Sequence, residues 1–194
     1  GLDSEPLYHP PPLADRIEPT PLGERIVSIG RLEANKRPGL LIDALGASTS
    51  GLDGVLAGAG SHADELRART AASRLDGRVA QPGYLSDDDV VAVLGDALAV
   101  LYAPYEEDYG YVTLQAFLAA KPVITTADAG GVLEWVVDGE TGLVTDGSPE
   151  ALGAAIDRLA GDRDLATRMG DAGRARAADL GWPQVVERLL GAAR

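Results

Sequence analysis

The stretch Arg25-Ile26-Val27-Ser28-Ile29-Gly30-Arg31 is a short β-branched run ending in Gly-Arg, followed by Pro38-Gly39-Leu40-Leu41-Ile42-Asp43-Ala44-Leu45 and then by Val55-Leu56-Ala57-Gly58-Ala59-Gly60. Strand, helix and strand joined by short turns form the repeating unit of a parallel sheet, because parallel neighbours need a crossover long enough to return along the sheet. The alternation continues. Strands are predicted at Ile26–Ile29, Val55–Ala57, Arg78–Ala80, Leu98–Leu101, Pro122–Thr125 and Gly142–Val144, and helices near Pro38–Leu45, His62–Ser73, Asp87–Gly95, Tyr111–Ala120 and Val132–Val137. The expected architecture is an α/β domain with a doubly wound, six-stranded parallel sheet flanked by helices.

Helix starts carry their own marks. Pro38 suits a first helical turn, Ser86 with Asp89 matches a capping box, and Ser148-Pro149-Glu150 opens a longer helical region. After Gly142 the strands stop: Pro149–Leu180, broken at Gly161, and Trp182–Ala193 read as helices alone. At the other end, the first 22 residues hold six of the twelve prolines, including Pro10-Pro11-Pro12, with neither strand nor helix period. Residues 1–22 are therefore expected to be an extended, stiff linker and residues 23–194 the domain.

A chain of 194 residues with 45% hydrophobic and 24% charged residues suits one globular domain. No run approaches the roughly 18 apolar residues of a membrane helix, and Gly1-Leu2-Asp3-Ser4-Glu5 lacks the basic, apolar pattern of a signal peptide. No direct membrane insertion and a cytoplasmic location are expected. The lack of cysteine excludes disulfides, thiolate metal clusters and a cysteine nucleophile. The formal charge of −13 argues against nucleic acid, whose affinity rests on a basic face. Between Val79 and Ala120 stand seven carboxylates and no Lys or Arg, so an anion bound there needs cations from elsewhere.

Those cations stand on the first βα loop. Gly30-Arg31 ends the first strand and Lys36 follows, at the sheet edge where doubly wound folds take ligands. A guanidinium fork and a compact ammonium together suit a diphosphate, although charge for solubility is the competing reading. Ala57-Gly58-Ala59-Gly60-Ser61-His62-Ala63 has the spacing of a phosphate turn, but it lies in the second βα unit and reads as a close-packing turn with some ligand contact. The dense segment runs from Tyr102 through Pro104, Glu106-Glu107-Asp108 and Gly110 to the helix opening at Tyr111. There the N–H groups of Tyr111, Val112 and Thr113 form an anion site at a helix start, with Gln115 on a strip able to face the loop. A carboxylate beside a phosphate site serves hydroxyls better than phosphate, so Glu107 points to a sugar phosphate. Trp135 and Trp182 read as core anchors.

Gly30-Arg31 with Lys36, Ala57-Gly58-Ala59-Gly60, Pro104 through Glu107 and Gly110 to Gln115-Ala116, Lys121-Pro122-Val123-Ile124, and Gly130-Gly131-Val132-Leu133-Glu134 occur in one order. In that order they resemble the donor-binding half of the retaining family-4 glycosyltransferases (glycosyl transferases group 1), enzymes of GT-B architecture with two facing Rossmann-like domains. The resemblance spans Arg25 to Gly142, and Trp182 resembles the start of the family's closing helix. It implies a nucleoside-diphosphate sugar, UDP- or GDP-linked, as donor substrate, with no metal required. Arg31 and Lys36 would grip the diphosphate, Glu107 would contact the transferred sugar, and the amides of Val112 and Thr113 would cradle the β-phosphate. Main chain near Gly83-Tyr84 would hold the base. Gln115 stands where a second glutamate would bind the ribose hydroxyls. The family's amino-terminal acceptor domain is not among these residues, so the chain is expected to be the carboxy-terminal half of a longer enzyme, a hexosyltransferase inactive when isolated. A non-catalytic nucleotide-sugar sensor or regulatory module is the alternative, and an epimerase or phosphorylase on the same architecture a weaker third.

Overall fold

The computed structural model describes residues 6–192. Its strands are β1 (Arg25–Ile29), β2 (Asp53–Ala57), β3 (Val79–Gly83), β4 (Ala97–Leu101), β5 (Val123–Thr126) and β6 (Gly142–Thr145). All pair in parallel, in the order β3-β2-β1-β4-β5-β6. The chain winds outward from β1 to one edge, returns to β4 and winds to the other, so the direction reverses between β1 and β4, where such sheets open a crevice at their carboxyl ends. β3 runs past the predicted Ala80 through Pro82. Its edge position explains this, since a proline lacks the N–H that only an interior strand must donate.

The helices are α1 (Gly39–Ala47), α2 (Ala63–Ala72), α3 (Asp87–Gly95), α4 (Tyr111–Leu118), α5 (Pro149–Gly161), α6 (Arg163–Ala177) and α7 (Trp182–Ala192). The Ser86–Asp89 capping box forms in both directions. Asp162 separates α5 from α6 and caps the latter, accepting from the Leu165 N–H at 2.8 Å. One predicted helix is corrected. Val132–Val137 contains only a 3₁₀ turn, Gly131–Glu134. The Thr141 hydroxyl accepts the Val137 N–H at 2.9 Å and donates to Trp135 O at 3.1 Å, diverting the groups a longer helix would need. The predicted end of the last helix at Ala193 lies outside the described residues.

Alternation along the strands fills two cores. Ile26, Leu56, Ile124 and Leu143 pack under α1, α5 and α6; Val27, Val55, Val100 and Val123 face Leu114, Phe117 and Trp135. The proline-rich segment lies along this second core rather than standing away from it. Ile17 is buried, Tyr8 meets Trp135 edge-on at 5.0 Å, and the Thr20 hydroxyl donates to Gly95 O at 2.9 Å. The fully buried Lys121 donates to Thr20 O (3.2 Å) and Pro21 O (2.5 Å), and burial lowers its pKa to about 8. Trp135 is the core anchor expected. Trp182 is not: it is 60% exposed and stacks on the His9 ring at 5.5 Å. No helix among the described residues is long and apolar enough to cross a membrane.

Candidate functional site

Three loops meet over the carboxyl ends of β1, β4 and β5. The β1 loop carries Arg31 and, in a 3₁₀ turn Ala34–Lys36, the predicted lysine. The β4 loop carries Glu106-Glu107-Asp108, and the β5 loop carries Asp128 and Gly130-Gly131. Glu107 and Gly130 form an isolated parallel bridge, with the Gly131 N–H donating to Glu107 O at 2.6 Å. A Cβ on Gly131 would lie 2.2 Å from Asp108 O, so the glycine pair is what lets the two loops touch.

The Glu107 side chain turns inward. Lys36 Nζ pairs with its Oε2, and the Tyr102 hydroxyl donates to the same oxygen at 2.9 Å. The Lys36 and Glu107 side chains are only 15% and 16% exposed. Burial alone would raise the Glu107 pKa, but the hydrogen bonds from Lys36 and Tyr102, the lysine charge and the Asp108 N–H outweigh it and hold the group below its ordinary value. Burial, then the neighbouring carboxylate, pushes the Tyr102 phenol well above the usual tyrosine range. At neutral pH the cluster is thus a carboxylate between an ammonium and a phenol donor. Arg31 is exposed at its edge, its charge reaching Tyr102 and Glu33. The sequence reading gave Tyr102 no role; an aromatic hydroxyl at a strand end just before an acidic loop was the available signal.

α4 begins at Gly110, which is left-handed (φ 79°, ψ 55°). Its direction is set by Phe117, fully buried against α6, where a Cβ on Gly173 would come within 2.4 Å of the ring. Of the three amides expected to face an anion, the Thr113 N–H is instead spent on Gly110 O at 2.9 Å. The Thr113 hydroxyl is buried without a partner beneath this start. Gln115 is placed differently from the expectation: it is 8% exposed and its amide donates to Pro12 O at 3.0 Å, so it addresses the proline segment and not the acidic loop.

On the β2 and β3 side the construction changes. A Cβ on Gly58 would lie 1.8 Å from Gly30 O, and one on Gly60 2.4 Å from Leu32 O, so both glycines press the β2 loop onto the β1 loop, the close-packing turn expected. Beside them opens a mainly apolar cleft of about 210 Å³ lined by Ile29, Gly30, Arg31, Ala57, Gly58, Ala59, Tyr84, Leu85 and Val90. Tyr84 is 82% exposed at its mouth. Arg31 borders both the cleft and the charged cluster. Among the described residues no group of three or more His, Asp or Glu side chains is placed to hold a metal ion.

Comparison with known proteins shows the family and the fold. Residues 17–176 match the glycosyl transferases group 1 family. The chain is 33% identical over 188 residues to the D-inositol 3-phosphate glycosyltransferase of Nocardia farcinica, covering 87% of this chain and 40% of that protein. It is also 33% identical over 192 residues to a GDP-mannose-dependent alpha-(1-6)-phosphatidylinositol monomannoside mannosyltransferase of Mycobacterium tuberculosis, covering 86% and 50%. The fold is similar to that of Anabaena HepE, solved with UDP and glucose (TM-score 0.80, 22% identity, 88% of this chain and 48% of that one), and of sucrose-phosphate synthase from Thermosynechococcus elongatus (TM-score 0.77, 24%, covering 97% and 51%). The chain spans half the length or less of these two curated relatives. With the match running from before β1 to the end of α6 on a sheet of this order, the chain belongs to the glycosyl transferases group 1 family.

Proposed function

We propose that the chain binds a nucleoside-diphosphate sugar along the rim from Tyr84 to Glu107, as the donor half of a retaining glycosyltransferase of GT-B architecture that transfers a hexosyl group to an acceptor hydroxyl. The observation that carries this reading is the pairing of Lys36 with Glu107 across two loops, with Arg31 lining the same hollow as Lys36 and Tyr102. Arg31, Lys36 and the Tyr111 and Val112 amides would take the diphosphate and the charge that develops as it departs, which is the work a metal ion does elsewhere. Glu107, ionised and oriented by Tyr102, would accept hydrogen bonds from sugar hydroxyls once Lys36 turns to phosphate. The apolar cleft by Tyr84 would take the base, against Ile29, Leu85 and Val90.

Residues 6–22 of the expected linker 1–22 dock on the domain; residues 1–5 lie outside the described part. In this reading a further domain of the same polypeptide holds the acceptor, which fits the chain's share of its relatives' length. Calorimetry with UDP, GDP and their sugars, with EDTA and with Mg²⁺, tests the assignment. Binding should be weak and indifferent to metal, and binding that requires Mg²⁺ would refute it. The chain alone should transfer no sugar, because in this reading the further domain positions the acceptor against the sugar face; glycoside formation by the isolated chain would place the acceptor site on these residues. Gln115, turned to Pro12, favours the second reading, a nucleotide-sugar sensor; the same calorimetry on a chain that includes the acceptor domain, with turnover measured beside it, separates the two.

A further inference from the structure

Arg37 follows Lys36 and has no part in the reading above. Its backbone is left-handed (φ 47°, ψ 46°), a region that a residue with a Cβ enters against steric resistance. Glu106 on the facing loop is left-handed too (φ 45°). The Arg37 side chain is 25% exposed and its guanidinium donates through all three nitrogens. Nε donates to Ala103 O (2.8 Å), Nη2 to Pro104 O (2.8 Å) and Thr126 Oγ1 (2.6 Å), and Nη1 and Nη2 fork onto Asp128 at 2.9 and 2.7 Å. One side chain therefore joins the β1, β4 and β5 loops. The residue it grips and that residue's neighbour in turn hold the acidic loop: Asp128 O accepts the Glu106 N–H at 3.1 Å and Ala129 O the Glu107 N–H at 3.3 Å. A lysine, as a point charge, cannot reproduce a planar fork on so many acceptors.

We propose that Arg37 is the positioning residue of this site: by tying the β4 and β5 loops to the β1 loop it sets the Glu107 carboxylate against Lys36, and so fixes where a donor's sugar and its diphosphate are met. The inference rests on the donor-binding reading for its ligand, though not for its geometry. The Arg37 fork also holds the Asp128 carboxyl below its ordinary range, in keeping with a strong contact. The groups facing Glu107 are Lys36 and Tyr102, with Arg31 acting through Tyr102.

Arg37→Gly removes the clamp while leaving a residue at ease in the left-handed region; Arg37→Lys keeps the charge without the fork. In the full chain, carbon-detected NMR of the glutamate carboxylates, assigned with Glu107→Gln, follows the Glu107 titration. Calorimetry follows UDP, GDP, UDP-glucose and GDP-mannose. In both variants Glu107 should titrate closer to an ordinary glutamate. Whichever nucleotide sugar the wild type binds should weaken about tenfold, while its bare diphosphate changes by less than about twofold. A Glu107 titration identical to wild type in both variants overturns the proposal, as does equal weakening of sugar nucleotide and bare diphosphate. If Glu107 shifts as expected but none of the four nucleotides binds even the wild type, the positioning role stands and the donor reading fails. Should Arg37→Gly not fold, Arg37→Lys and Asp128→Asn carry the same comparison.

Discussion

The two halves of the carboxyl rim are built by opposite means. On the β4 and β5 side, side chains do the holding: Lys36, Glu107, Tyr102, Arg37 and Asp128 engage one another across three loops. On the β2 and β3 side, main chain does it: Gly58 and Gly60 press backbone on backbone, and Tyr84 stands in water beside an apolar cleft. The first kind of surface meets charge and hydroxyls with ready-oriented partners. The second offers apolar surface, lined by Ile29, Leu85 and Val90. Arg31 lies on the border, which is where a diphosphate would join a sugar to a nucleoside.

The largest expected effect falls on that border. Arg31→Ala with Lys36→Ala should cost about 2–4 kcal/mol of nucleoside-diphosphate affinity by calorimetry, the loss of two charge-assisted contacts; an unweakened double variant would show that the two halves do not share a ligand. Gly58→Ala strikes the backbone-built half. With φ at 143° and a Cβ 1.8 Å from Gly30 O, it should cost about 2–3 kcal/mol in urea unfolding and distort the cleft. Gln115→Glu sets an acceptor against Pro12 O, so about 1–2 kcal/mol of stability should be lost with no gain in nucleotide affinity. Tighter nucleotide binding by that variant would mean that the side chain turns to a ribose when one is present.

The smallest effect is one of pH and separates the halves by titration. Because the folded pKa of Glu107 lies below its ordinary value of 4.5, the pair with Lys36 contributes its stability fully above that value and loses it as pH falls through the lower folded one. The cost of burying the two charges offsets much of their attraction, so the net contribution is about 1 kcal/mol or less. The wild-type urea midpoint should fall toward that of Glu107→Gln across this window, whereas Tyr84→Ala should stay parallel to wild type.

The sheet was legible because most strands hold a brief apolar run between turn residues, and the Ser86 and Ser148 caps are local signals. What failed was non-local. Nothing within Val132–Val137 reveals that the Thr141 hydroxyl will divert its backbone, and nothing in Pro10-Pro11-Pro12 says that a buried Lys121, far along the chain, holds the end of that segment. Arg31, Lys36 and Glu107 were legible as candidates from residue type at a sheet edge. Their mutual arrangement was not, since Tyr102 and Arg37 act through partners brought near only by the pairing of β1, β4 and β5. Gln115 was misplaced for the same reason: helical phase gives a strip, not which distant segment covers it.

The chain has two lysines, and one of them is Lys121. Its amine is sunk against two carbonyls with no exposed surface, so an acylating reagent in water does not reach it despite its lowered basicity. The other is Lys36, partly exposed and tethered to Glu107. Among these 194 residues, side-chain amine labelling of the folded chain therefore falls on Lys36, and its rate measures how often that tether opens.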